Sequence, residues 1–77
     1  MTKEMIKEIA ERIMNKVACE QICSDNYKGN QRENPFHSER KGMEEMLKIM
    51  GIDFEYGFNK EVTEIISITI EGITVEA

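Results

Sequence analysis

Cys19, Cys23 and His37 are the side chains of this sequence whose chemistry could reach beyond packing. The two cysteines are four residues apart, so a helix running through them brings both thiols to one side. With His37 across the following segment they would offer zinc three ligands. A structural zinc site takes four, usually with its cysteines paired in a knuckle rather than on a helix, and no fourth ligand stands out. Apolar packing of the cysteines is therefore the expected use, with no metal and no cofactor. A thiol nucleophile would need His37, the only histidine, as its base, and no residue presents itself to orient that imidazole. Carboxylates are plentiful, but none occupies an apolar position that would raise its pKa for acid–base work. Glycines occur singly, at Gly29, Gly42, Gly51, Gly57 and Gly72, so no phosphate-cradling run exists. The chain is expected not to be an enzyme.

Binding chemistry is better represented. Tyr27, Lys28, Asn30, Gln31, Arg32, Phe36 and His37 gather rings, amides and cations in one short stretch. Rings can stack a base while cations meet phosphate, so Tyr27, Lys28, Arg32, Phe36 and His37 are candidate ligands for a nucleotide. The plainer reading is a solvated connector whose rings tuck under helix ends. A second candidate surface is acidic. The net charge of −5 falls entirely in residues 39–77, where nine acids meet Arg40, Lys41, Lys48 and Lys60. Such a surface opposes direct nucleic-acid binding, which draws its affinity from Lys and Arg, and favours basic protein partners or plain solubility. Asp53, Glu55, Glu61, Glu64, Glu71 and Glu76 are the carboxylates expected to face a partner. Met5, Met14, Met43, Met46 and Met50 read mainly as core filler, Met46 sitting at the edge of its stripe.

These groups need elements to carry them. Seventy-seven residues make one domain, 1–77, that hides only about 60% of the surface its open chain exposes. Apolar residues recur at helical spacing over 3–22 in two columns, Met5-Ile9-Ile13-Val17 and Ile6-Ala10-Met14-Ala18-Ile22. A stripe that broad can serve a sheet and also a second helix or a second copy of the chain. A polar loop follows over 24–34. Asn34-Pro35 then caps a second helix over 35–50, with Phe36, Met43, Met46, Leu47 and Met50 on one face and a Glu44–Lys48 pair on the other. Gly51 ends it, with Ile52 packing back on Leu47. The period then becomes two. Ile52, Phe54, Tyr56 and Phe58 alternate with polar residues over 52–58, and Ile66, Ile68 and Ile70 share a face over 64–70. Glu71-Gly72 permits a tight turn or a bulge before a short strand at 73–76. The expected fold is α+β and two-layered, α-α-β-β-β, with two or three antiparallel strands.

Met-Leu-Lys-Ile-Met-Gly-Ile leading into an acidic strand, then Ser-Ile-Thr-Ile-Glu-Gly-Ile, resembles in style the small proteins carried by phages and mobile elements of low-GC Gram-positive bacteria. The resemblance implies an anti-defence role. One form is an anti-CRISPR-like inhibitor whose acidic surface occupies a basic groove; another is a homo-oligomeric sponge for a nucleotide messenger, using the 24–37 segment. A structural or regulatory phage protein is the third reading. No run of about 20 apolar residues and no secretory signal is evident, so a cytoplasmic, membrane-free setting in a bacterial host is expected. The broad first stripe and small core favour a homodimer.

Overall fold

The computed structural model describes residues 2–23 and 34–76. Helix α1 spans Lys3–Cys23, α2 spans Pro35–Ile49, and strands β1 (Phe54–Phe58), β2 (Ile65–Ile70) and β3 (Ile73–Glu76) form one antiparallel sheet in the order β1-β2-β3. The architecture is α-α-β-β-β.

Local chemistry sets the boundaries. Thr2 opens α1: its Oγ1 accepts from the Met5 N–H at 3.1 Å and its carbonyl from Ile6. Asn34, fully buried, caps α2 by accepting from the Phe36 N–H at 3.0 Å, and its Nδ2 donates to the Glu20 carbonyl at 3.1 Å. One side chain thus starts α2 and ties that start to α1. At the other end Gly51 takes φ +73°, the Ile52 N–H donates to Leu47 and the Gly51 N–H to Lys48. This is a Schellman ending, and it turns the chain directly into the sheet.

Packing follows one face of α1. Ile6, Ala10, Ile13, Met14 and Val17 are buried, with Leu47 of α2 and Ile68 and Ile70 of β2. Ile9, Met43, Ile52, Phe54, Tyr56, Ile65, Ile73 and Val75 border them. Both columns of α1 are used within the chain, since α1 packs on α2 as well as on β2 and β3. The sheet's inner face pairs Phe54 with Ile70 and Tyr56 with Ile68, which in turn faces Val75. Its outer face carries Glu55, Ser67, Thr69, Thr74 and Glu76, with Thr69 and Thr74 hydroxyls 2.8 Å apart.

Three expectations need correction. The β1–β2 register shifts between Gly57 and Phe58, so that Ser67 opposes Gly57 but Ile65 opposes Phe58. Ile66 is the extra residue of this bulge: it is exposed, and Ile65 takes its expected place against the core. A Cβ at Gly57 would meet the Ser67 hydroxyl across the strands, so a larger residue there requires that side chain to turn away. Phe58, at the strand's end beyond the bulge, is exposed rather than half-buried. On α2 the inward face is Arg40, Glu44 and Leu47, while Met46 and Met50 point outward, as Met5 does on α1. Among the described residues methionine is core filler only at Met14 and, in part, Met43. Glu71-Gly72 forms a two-residue turn, φ +50° and +82°, joining the paired Ile70 and Ile73.

Candidate functional site

Where α1 ends, α2 begins and β1 passes beneath, charged side chains meet in the interior. Arg40, on the first turns of α2, donates through Nε to Glu20 Oε2 at 2.7 Å and through Nη2 to Glu20 Oε1 at 3.2 Å. Its Nη1 donates to Glu44 Oε2 at 2.9 Å, one turn on along the same helix. Tyr56, reaching in from β1, donates its hydroxyl to the same Glu44 oxygen at 2.7 Å and lies under the guanidinium, 5.6 Å from its ring centroid. His37 Nδ1 sits 2.5 Å from Glu20 Oε1. The side chains of Arg40 and Glu44 are only 8% and 7% exposed. Glu44 therefore faces inward, with Lys41 3.5 Å from its other oxygen, and does not form the expected outer pair with Lys48.

Two carboxylates, Glu20 and Glu44, are thus largely buried, but among charged and hydrogen-bonding partners rather than at an apolar position that would raise a pKa. Burial alone would raise the Glu20 pKa, but hydrogen bonds from Arg40 and His37 hold it below the ordinary value of 4.5. Burial and its bond to Glu44 push the Tyr56 phenol well above the ordinary 10.0. Burial opposes the Arg40 charge, yet its bonds to Glu20 and Tyr56 raise its pKa further. Among the described residues no buried side-chain nitrogen or oxygen lacks a partner. Each group is committed to its neighbours, so the cluster works as a three-way joint between α1, α2 and β1.

The joint makes stability pH-dependent in two directions. Glu20, with a lowered folded pKa, stabilises the fold fully above about pH 4.5, and this is lost as pH falls through its folded value. Tyr56, with a raised folded pKa, stabilises below about pH 10 and progressively less above it, because only the unfolded chain then releases the proton. Melting temperature should hold a plateau between these limits and fall on both sides. In Tyr56→Phe the alkaline fall should flatten while the acid fall remains. Parallel alkaline limbs in the two proteins would contradict the assignment.

The predicted ligand segment divides. Tyr27, Lys28 and Arg32 lie outside the described residues. Phe36 is half-buried beneath Lys16, whose Nζ is 5.6 Å from the ring centroid and also meets Glu39. His37 is engaged by Glu20. Cys19 is a half-buried free thiol, and among the described residues no three His, Cys, Asp or Glu are grouped as a metal would require.

The six acids of the strand region are all exposed: Asp53, Glu55, Glu61, Glu64, Glu71 and Glu76. None lies within salt-bridge distance of a described cation, whereas Arg12, Lys16, Arg40 and Lys41 all pair with acids of the helices. Asp53, Glu55 and Glu71 border one shallow depression at the β2–β3 turn. Glu61 and Glu64 lie at the opposite end, in the β1–β2 turn, and Glu76 stands on the outer face opposite Ser67. Glu64, with Thr63 and Ile65, also lines a cavity of about 360 Å³ beside Glu20 and Arg40.

No family model, no curated protein and no solved structure matches this chain. Among the described residues no helix is long and apolar enough to cross a membrane. The sequence reading missed the ion cluster, although two signals for it exist. Arg40 and Glu44 stand at i,i+4 on the same side as Leu47, and Tyr56 holds an inward strand position between Phe54 and the bulge.

Proposed function

We propose that this chain is a non-enzymatic binding protein that sets an acidic sheet against a basic, nucleic-acid-binding surface of a protein partner, in the manner of an inhibitor of bacterial defence. The observation that carries the reading is the contrast in charge pairing. Arg12, Lys16, Arg40 and Lys41 are engaged by acids of the helices, while the six strand-region carboxylates remain exposed and unpaired among the described residues. The central strand β2, six residues long, extends roughly 20 Å at about 3.4 Å per residue. One strand of a duplex carries about six phosphates over that length, and six exposed carboxylates border this sheet and its turns. A groove shaped for one strand would meet comparable charge, and the excess would hasten encounter.

The test is displacement of a labelled single-stranded oligonucleotide from purified RNA-guided nucleases, followed by fluorescence anisotropy across a salt series. The chain should displace the oligonucleotide from at least one of them, and its affinity should fall steeply with ionic strength. The double variant Asp53→Lys/Glu71→Lys should weaken displacement and flatten the salt dependence. Displacement indifferent to salt and to this variant would overturn the reading, as would no displacement at all.

A further inference from the structure

We propose that the closed end of the β1–β2 hairpin is the apolar anchor of the acidic surface, with Val62 entering an apolar pocket of the partner protein whose rim carries lysines or arginines. The inference rests on the reading above but adds a contact that charge alone does not require.

Three features of the hairpin end lead to it. First, Val62 has φ +54°, the left-handed region that suits Gly and Asn and that a β-branched residue enters only at a cost. Second, the side chain held in this conformation is not packed: Val62 is 68% exposed, so the fold receives no burial in return. Third, the conformation is firmly imposed. Asn59 Oδ1 accepts from the Thr63 N–H at 2.9 Å and the Glu64 N–H at 3.2 Å, and its Nδ2 donates to Thr63 Oγ1 at 2.9 Å. The Val62 N–H donates to the Asn59 carbonyl, and the Asn59 N–H to Glu64. A rigid turn that presents a strained, solvent-facing valine is preorganised for a contact outside the chain.

The surroundings define the occupant. Phe58, 47% exposed, and Ile66, 44% exposed on the bulge, are further exposed apolar residues at this end of the two strands. Glu61 and Glu64, both exposed, flank Val62 in the turn, with Lys60 the only base in residues 53–76. An apolar centre with an acidic rim is complementary to an apolar pocket with a basic rim. A second copy of the chain fits poorly, since its hairpin end carries Glu61 and Glu64 against the single base Lys60 and supplies no basic rim.

Val62→Asn tests this, because strain and anchoring predict opposite effects. Asn accepts the left-handed conformation, so the variant should melt roughly 3–8 °C higher than the parent. In the oligonucleotide-displacement assay it should bind at least about tenfold more weakly at every salt concentration, with an unchanged salt slope. Higher stability with weaker binding is the expected signature. If Val62→Asn displaces as well as the parent while Asp53→Lys/Glu71→Lys weakens, the anchor is wrong and the acidic reading stands. If only the valine variant weakens, the basic rim and the partner chemistry stated here are wrong. A lower melting temperature removes the strain argument, and no displacement by the parent overturns both proposals.

Discussion

Arg40→Met should cost about 3–5 kcal/mol of folding stability, the range seen when one member of a buried ion pair is removed. The methionine fills much of the arginine's volume, so the loss is electrostatic rather than a cavity effect. Without the guanidinium, Glu20 loses two donors and Glu44 one, and Glu44, only 7% exposed, has little access to replacement water. Natural domains hold only about 5–15 kcal/mol in total, and a 77-residue chain belongs near the lower end. Urea titration followed by circular dichroism should therefore find the variant largely unfolded, or unfolding at far lower denaturant. Replacing the group as a whole, with Glu20→Met, Arg40→Met, Glu44→Leu and Tyr56→Phe together, should recover most of the loss, because no charge or hydroxyl is then left unpaired. A cost under about 1 kcal/mol for the single change would mean the cluster behaves as a solvated surface network.

Ile68→Ala should cost about 2–5 kcal/mol, as large-to-small changes in full cores do. Ile68 is completely buried on the central strand, between Tyr56 on one side and Val75 on the other. With α1 closing over it, the neighbours have little freedom to collapse into the space. Ile66→Ala, two residues earlier on the same strand, should change stability by only about 0.5 kcal/mol, because that side chain stands out on the bulge. Chemical denaturation of the two variants thus reads the strand register directly. Equal losses would place both isoleucines on the inner face and remove the bulge.

The contrast between Ile66 and Ile68 also shows where the sequence is legible and where it is not. Asn34-Pro35 and Gly51-Ile52 mark helix ends because their preferences are local, and their hydrogen bonds fall where local chemistry expects them. Phe54, Tyr56, Ile68 and Ile70 reveal the inner face by simple alternation. Ile65-Ile66 does not, since adjacent isoleucines fit either phase and alternation alone does not place the bulge. The same holds for the second helix. A charged residue at helical spacing reads as solvent-facing unless its partner is visible, and Arg40 finds Glu20 twenty residues away in sequence. The acidic surface was legible as composition, but its division between the two ends of the sheet required the turns.

Asn34 has a topological consequence. By gripping the Glu20 carbonyl while capping α2, it fixes the distance between the two points from which segment 24–33 departs and to which it returns. The span to be bridged is set by the scaffold and is independent of what lies between. A flexible insert there costs only about 0.6 kcal/mol for each doubling of length. The fold therefore has a built-in port for grafted peptides or reporter groups, anchored next to Glu20, which shares a cavity with Glu64 of the β1–β2 turn.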